Sequence, residues 1–186
     1  GETYQVNFTN RVSVTPEVDP GTAFTNLLRQ QPVSYGAFLN IAEHNILSLS
    51  PELFFRIEKG RIVTRPMKGT MDRGLDAAED TQAAIRLQND GKNRCEHVMI
   101  VDLLRNDLGR VCAMGSVQVD DLFSIERYET LLQMTSTVSG ILRPGLTYYD
   151  IFKGMFPSGS ITGAPKIRTM QIIRESILEQ AVGGVG

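Results

Sequence analysis

Alternating apolar and polar positions dominate the first third of the chain and predict β-strands. In residues 3–14 the side chains of Tyr4, Val6 and Phe8 fall on one face, so this segment is predicted to be a half-buried strand. Glu58-Lys59-Gly60 is a glycine-containing turn that predicts a hairpin between its flanking strands. The strands predicted from these patterns, which should form an antiparallel sheet, cover residues 35–41, 45–49, 52–57 and 61–65.

Helical spacing of apolar residues appears between and after these strands. A short helix is predicted over residues 22–30, and Asp76 can cap a helix that runs to about Gln88. Another helix is predicted over residues 92–107, with Gly109 ending it. The side chains expected on the buried face of this helix are Val98, Val101 and Leu104.

The last third of the chain predicts two more strands, over residues 116–127 and 130–142, and a short helix over 147–155. Strands therefore come in runs rather than in strict βαβ alternation, which predicts an α+β fold with antiparallel sheets flanked by helices. Without internal repeats or linkers, residues 1–186 are predicted to form one domain. A final amphipathic helix is predicted to bury Ile167, Met170, Ile173 and Ile177.

Composition excludes several classes of function. The net charge of −2 gives no electrostatic reason to expect nucleic acid as a partner, and no apolar run is long enough to span a membrane. Cys95 and Cys112 lie outside any metal-binding spacing, which predicts a reducing, cytoplasmic location. His44 and His97 are the only histidines, so lysine and carboxylates become the main candidates for chemistry.

The stretch Arg65–Thr70 (RPMKGT) contains the first such candidate, Lys68. Pro66 favours an extended conformation at Arg65, and Gly69 allows another group to approach the backbone closely. Lys68 is therefore expected at a strand end. From the residues alone it is either a reactive amine or a solvated lysine in a surface turn.

The glycine-rich segment Gly159–Lys166 (GSITGAPK) is the second candidate. It differs from a Walker A loop, because Ala164-Pro165 separate Gly163 from the lysine. The hydroxyls of Ser160 and Thr162 and the start of a helix predict an anion site for phosphate or carboxylate. The alternative is an ordinary glycine-rich helix start.

Glu96 is a candidate magnesium ligand. Glu96 and Asp107 are eleven residues apart on one predicted helix, which separates them by roughly 16 Å, so they cannot share one ion. Glu96 alone could supply one oxygen to a magnesium ion whose other ligands are water, substrate and another element. The alternative is a solvated helix face.

Glu52 begins the strand that is predicted to pair with the strand leading to Lys68. The start of one hairpin strand lies beside the end of the other, so the carboxylate and the amine could project from the same sheet end. They would form either a surface ion pair or an acid–base group beside a nucleophile.

Six segments together resemble the chorismate-utilising enzymes, a family that includes anthranilate, aminodeoxychorismate, isochorismate and salicylate synthases. The segments occur in the family's order and span almost the whole chain. They are residues 1–7, 50–55, 65–70, 95–111, 133–140 and 156–173. The resemblance implies the chorismate-binding fold of anthranilate synthase component I. It also implies that the family domain continues beyond residue 186, so that 1–186 is a partial domain; Gly1 in place of a methionine suggests a start inside a longer protein.

Three positions separate the branches of this family. Lys68 stands where the anthranilate and isochorismate synthases carry a small residue, and a lysine there is typical of the aminodeoxychorismate synthase branch. Gln5 replaces the general-base lysine of the isochorismate and salicylate synthases, and Gln133 replaces a histidine of many anthranilate synthases. The resemblance therefore implies amination of chorismate with ammonia to 4-amino-4-deoxychorismate, in p-aminobenzoate and folate biosynthesis.

The resemblance also implies residue roles. Lys68 would be the covalent nucleophile and Glu52 the acid–base group, while Glu96 would bind magnesium. Ammonia would come from a glutamine amidotransferase subunit, since no glutaminase motif is present. The residues expected to contact chorismate are Gly69, Thr70, Ser160, Thr162 and Gly163.

Two other functions stay open. One is anthranilate synthase component I, which releases anthranilate and pyruvate from the same substrates. The other is an inactive fragment that binds ligand, since the family supplies a second magnesium-binding glutamate from a later segment.

Overall fold

The computed structural model describes residues 2–7, 9, 12–15 and 17–183, with the backbone alone over 176–183. The chain forms two compact units: Phe8–Leu53, and Gly1–Asn7 together with Phe54–Gly186. The single partial domain over residues 1–186 stays a prediction.

The elements of the described residues include nine strands and six helices. The strands are β1 (Gln5–Val6), β2 (Tyr35–Ile41), β3 (His44–Ser50), β4 (Leu53–Glu58), β5 (Arg61–Arg65), β6 (Met67–Asp72), β7 (Gln118–Arg127), β8 (Leu131–Ile141) and β9 (Gly163–Ala164). The helices are α1 (Pro20–Gln30), α2 (Ala77–Asn89), α3 (Gly91–Val111), α4 (Tyr148–Met155), α5 (Gly159–Thr162) and α6 (Lys166–Gly183). None of the helices in the described part of the chain is both long and apolar enough to cross a membrane.

The smaller unit contains one helix and one hairpin. The Asp19 carboxylate accepts hydrogen bonds from the N–H groups of Gly21 and Thr22, so α1 begins two residues before the predicted start. Strands β2 and β3 pair antiparallel along their whole length. Phe24 of the helix stacks on Phe38 of the hairpin, with ring centroids 5.9 Å apart.

The larger unit contains a five-stranded antiparallel sheet, and β8 is its central strand. On one edge of β8, β5 and β6 lie end to end: Thr64 faces Val138, and Met67 faces Thr135. Strand β7 pairs with β8 as well, and β4 pairs with β5. The α+β class predicted from the sequence is therefore confirmed. The four strands predicted to form one antiparallel sheet instead belong to two sheets, β2 with β3 and β4 with β5.

Helices α3 and α4 cover this sheet and form its main core. The buried side chains of the core come from β5, β8, α3, α4 and the residue that follows α3. They are Ile62, Val101, Leu108, Val111, Cys112, Val138, Ile151 and Met155. A second core joins α2 to β8 through Ala83, Ala84, Leu87, Leu132 and Met134.

Several sequence predictions are wrong at the level of single residues. Of the strand predicted over residues 3–14, the described residues form only β1; Tyr4 is 77% exposed, and Phe8 lies outside the described residues. Gly109 does not end α3, because Val111 belongs to the core and the helix continues to reach it. Val98 and Ile167 are exposed rather than buried, and the side chain of Ile177 lies outside the described residues.

A buried ion pair joins α3 to α6. Lys166 Nζ donates to Asp107 Oδ2 at 2.6 Å and to the carbonyls of Met155 at 3.2 Å and Pro157 at 3.0 Å. Asp107 is fully buried, and its Oδ1 has no hydrogen-bond partner among the described residues. Burial raises the pKa of Asp107, and the Lys166 ammonium partly offsets this effect.

We expect Lys166→Met to lower the free energy of unfolding by about 3–5 kcal/mol, because it leaves the buried Asp107 carboxylate without its cation. The matched control is Arg105→Met, which breaks an exposed pair with Asp102 on the same helix and should cost less than about 1 kcal/mol. Urea unfolding measures both changes. Equal losses in the two variants would contradict a stabilising role for the buried pair.

Candidate functional site

Lys68 lies in a bulge at the start of β6. Met67 faces Thr135 and Thr70 faces Gln133, so this stretch of β6 contains one residue more than the stretch of β8 that it faces. The sequence predicted a strand end here; instead the strand resumes directly after Pro66. Lys68 Nζ lies 3.3 Å from Asn7 Oδ1 and 3.5 Å from the Ser160 carbonyl oxygen, and the side chain is half-buried.

Asn7 reaches Lys68 because β1 pairs with β9. Gln5 faces Ala164 and Val6 faces Gly163, and the Asn7 N–H donates to the Thr162 carbonyl at 3.1 Å. The Asn7 side-chain Nδ2 donates to the Ser160 carbonyl oxygen. Two segments from opposite ends of the sequence thus meet at the Lys68 amine.

Gly69 and Thr70 are held by Gln133 of β8. Gln133 Nε2 donates to the Gly69 carbonyl at 2.9 Å, and Thr70 Oγ1 donates to Gln133 Oε1 at 2.9 Å. Gly69 has φ +83°, and an added Cβ would lie 3.1 Å from the Asn93 side chain of α3. Only glycine adopts this conformation at low cost in so close a contact.

The glycine-rich segment uses its hydroxyls internally. Ser160 is buried, with its Oγ 2.9 Å from Ser158 Oγ, while Thr162 Oγ1 donates to the Ser158 carbonyl at 3.1 Å. Gly163 has φ +134°, and an added Cβ would lie 2.1 Å from the Gln5 carbonyl oxygen, so the contact with β1 requires glycine. Lys166 binds Asp107 instead of serving as a free cation for an anion. The anion site stays a prediction.

His97 is fully buried beside this site. Its Nε2 lies 2.7 Å from Ser136 Oγ, which also accepts the Phe123 N–H at 3.1 Å, and its Nδ1 has no partner among the described residues. Burial lowers the pKa of His97 from 6.5 to about 4. The nearby Lys68 backbone carbonyl acts against this shift, and the Lys68 charge acts with it.

Glu96 precedes His97 on α3 and is half-buried. Across the described residues no group of three or more His, Cys, Asp or Glu side chains could hold a metal. The role of Glu96 as a magnesium ligand therefore stays a prediction.

Glu52 belongs to the smaller unit, where the Ser50 hydroxyl accepts the Glu52 N–H at 3.2 Å and donates to the Glu52 carbonyl at 3.0 Å. These bonds form a turn ahead of β4. The proximity of Glu52 to Lys68 stays a prediction, as do the substrate-binding roles of Gly69, Thr70, Ser160, Thr162 and Gly163.

Three residues around Lys68 were not predicted from the sequence to belong to the site: Asn7, His97 and Ser136. The strand pairing that carries Asn7 links positions more than 150 residues apart, and nothing in the local pattern indicates it. His97 is one of only two histidines in the chain, and both were set aside in favour of lysine and carboxylates.

Residues 1–180 match the family described as chorismate binding enzyme. The chain belongs to the chorismate binding enzyme family. Aminodeoxychorismate synthase component 1 of Salmonella typhimurium is 46% identical to it over 175 residues, which are 94% of this chain and 38% of that protein. Anthranilate synthase component 1 of Aquifex aeolicus is 41% identical over 94% of this chain and 35% of that protein.

Solved structures agree with the family assignment. The crystal structure of anthranilate synthase component I from Streptococcus pneumoniae matches with a TM-score of 0.72 and 36% identity, over 84% of this chain and 34% of that one. The predicted chorismate-binding fold is therefore confirmed. This chain spans less than two fifths of the length of these three proteins.

The stability of the protein should fall as the pH drops from 6.5 towards 4. In that range the unfolded histidine binds a proton while folded His97 does not, so acid favours unfolding by up to about 3 kcal/mol. His97→Gln should flatten the slope of unfolding free energy against pH, measured with urea at each pH. His44→Gln, at an exposed strand position, is the control and should keep the wild-type slope. An unchanged slope in His97→Gln would contradict the depressed pKa.

Proposed function

We propose that this protein is an aminodeoxychorismate synthase component 1, which aminates chorismate with ammonia to give 4-amino-4-deoxychorismate. The observation that carries the proposal is Lys68. Its amine is half-buried and lies beside two neutral oxygens, in a bulge fixed by Gly69 and Gln133. A solvated turn lysine would need none of these contacts.

The proposed chemistry divides one difficult substitution into two steps. Lys68 Nζ forms a bond to ring carbon 2, the ring double bonds shift, and the carbon 4 hydroxyl leaves as water after Glu52 protonates it. Ammonia then forms a bond to carbon 4, the double bonds shift back, and the bond between carbon 2 and Nζ breaks. The new ammonium group at carbon 4 gives one proton back to Glu52, so Lys68 and Glu52 end in their starting states.

Glu96 is proposed as one ligand of a magnesium ion. When bound, such an ion would neutralise a carboxylate of the substrate. The Glu96 carboxylate is half-buried and lies next to His97, whose partner Ser136 lies on the central strand β8. In this proposal α3 therefore places the ligand oxygen at a fixed distance from the sheet.

The relatives support this function through their names. Aminodeoxychorismate synthase component 1 is also the name of the relative in Escherichia coli, which is 44% identical over 94% of this chain. The word component implies a second subunit, and we propose a glutamine amidotransferase that delivers ammonia. We further propose a place in p-aminobenzoate and folate biosynthesis, in the cytoplasm.

Anthranilate synthase component 1 is the second candidate, because relatives with that name are 41–42% identical over 94% of this chain. Both reactions use chorismate and ammonia. Product analysis distinguishes them: anthranilate synthase releases anthranilate together with pyruvate, whereas our proposal predicts 4-amino-4-deoxychorismate and no pyruvate. The presence of Lys68 favours the first candidate.

If Lys68 is the nucleophile, Lys68→Ala in the full-length protein should reduce formation of 4-amino-4-deoxychorismate by at least about a hundredfold. A loss of this size corresponds to an activation free energy that is higher by several kcal/mol. Intact-protein mass spectrometry with chorismate and no ammonia measures the covalent step directly. The mass of wild type should increase by that of one chorismate minus one water, added at Lys68, and the mass of Lys68→Ala should not change.

The control for this experiment is Lys153→Ala, which removes an exposed lysine of α4 and should keep the wild-type adduct and rate. An adduct at another residue, or a near-normal rate in Lys68→Ala, would overturn the proposal.

Glu96→Gln should raise the magnesium concentration needed for half-maximal adduct formation at least about tenfold, because an amide is a much weaker magnesium ligand than a carboxylate. The far-ultraviolet circular dichroism should stay unchanged. Glu43→Gln, in the exposed turn between β2 and β3, is the matched control. If Glu96→Gln and wild type need the same magnesium concentration, Glu96 is not a magnesium ligand.

A further inference from the structure

Asn7 occupies a position beside the reactive amine that the chemistry above leaves without a role. Its side-chain amide bridges two groups: Oδ1 lies 3.3 Å from Lys68 Nζ, and Nδ2 donates to the Ser160 carbonyl oxygen. The Ser160 carbonyl oxygen also lies 3.5 Å from Lys68 Nζ. Asn7, Ser160 and Lys68 therefore form a closed triangle of polar contacts.

The orientation of the Asn7 amide follows from this triangle. A carbonyl oxygen can only accept, so the Ser160 carbonyl must face the NH₂ group of Asn7. The Oδ1 oxygen is then directed at Lys68, where it accepts an N–H. A reversed amide would place two donors against the Lys68 amine and leave the Ser160 carbonyl facing another oxygen.

The backbone of Asn7 has a separate task. Its N–H donates to the Thr162 carbonyl and continues the pairing of β1 with β9. Any residue except proline could supply that bond. The side-chain contacts to Lys68 and Ser160 are therefore what is specific to asparagine at this position.

Two acceptors suit the reactive form of lysine. A neutral amine has two N–H donors and one lone pair. If Asn7 Oδ1 and the Ser160 carbonyl accept both N–H bonds, the lone pair must point away from these two oxygens. The amine is then fixed in one rotational state before substrate reacts, which lowers the entropic barrier of the attack.

We propose that Asn7 is a positioning residue that fixes the direction of the Lys68 lone pair for attack on chorismate. This inference rests on the proposed function, because it assumes that Lys68 is the nucleophile. Asn7 itself does not react. It acts only through the amine and through the Ser160 carbonyl.

The test measures adduct formation in the full-length protein, with chorismate and magnesium and without ammonia, by rapid quench and intact-protein mass spectrometry. Asn7→Ala should lower the first-order rate at saturating chorismate by about 10- to 100-fold, because the amine loses one of its two fixed acceptors. The chorismate concentration for half-maximal rate should change less than about twofold. Asn26→Ala, at an exposed position of α1, is the matched control and should keep both values.

Asn7→Asp provides a second, nearly isosteric variant in case Asn7→Ala does not fold. The carboxylate keeps an acceptor beside Lys68 but cannot donate to the Ser160 carbonyl. It also favours the ammonium form of lysine, which has no lone pair. Its saturating rate should therefore fall at least as far as that of Asn7→Ala.

The outcomes separate this inference from the proposed function. If wild type forms no adduct at Lys68, the proposed function is wrong and this inference with it. If wild type forms the adduct and the Asn7 variants form it at the wild-type saturating rate, only the inference is overturned. The inference also falls if the variants lose thermal stability and affinity for chorismate while keeping the saturating rate, because Asn7 would then only join β1 to β9.

Discussion

Strand β8 carries hydrogen bonds along both of its edges, and this double pairing determines where Lys68 lies. Strands β5 and β6 share one edge, so the chain must stay in register with β8 as it passes Pro66. The extra residue between Met67 and Thr70 cannot be paired and is accommodated as a bulge. Because the sheet is held on both sides of it, the bulge is a fixed feature rather than a loose turn.

Helix α3 connects this bulge to the rest of the larger unit. Asn93 lies against Gly69, His97 contacts Ser136 of β8, and Asp107 binds Lys166 at the start of α6. Three successive contacts along one helix thus set the distance between the bulge, the sheet and the glycine-rich segment. Helix α3 is therefore one of the elements, together with β8 and the pairing of β1 with β9, that fix the relative positions of Lys68 and Ser160.

Sequence periodicity predicted most elements of the fold and few of its long-range contacts. The bounds of β2 and β5 follow from alternation and from the turn at Lys59 and Gly60, both of which have positive φ. These features are local. The pairing of β1 with β9 brings together segments at opposite ends of the sequence, and two-residue strands have no periodicity to detect.

The same limit explains which parts of the site could be predicted. The motif around Lys68 is local and was recognised, whereas Asn7 reaches it only through the tertiary pairing of β1. Val98 was expected in the core because its spacing matches Val101, but Val98 is 46% exposed whereas Val101 is buried. The spacing of apolar residues predicts which side of a helix is buried. It does not predict which residue at the margin of that side belongs to the core.

Lys68 and Lys166, which both lie in candidate segments of the sequence, differ in burial and in the groups that surround their amines. Lys166 is buried, and its ammonium is neutralised by Asp107 and surrounded by the carbonyls of Met155 and Pro157, so all three of its N–H donors are satisfied. Lys68 is half-buried, and the neutral oxygens of Asn7 and Ser160 give much less electrostatic stabilisation to an ammonium. An amine that must react cannot be held as Lys166 is, because its lone pair has to remain available. Lys166 therefore maintains the geometry of the glycine-rich segment, and Lys68 is the lysine whose surroundings suit a nucleophile.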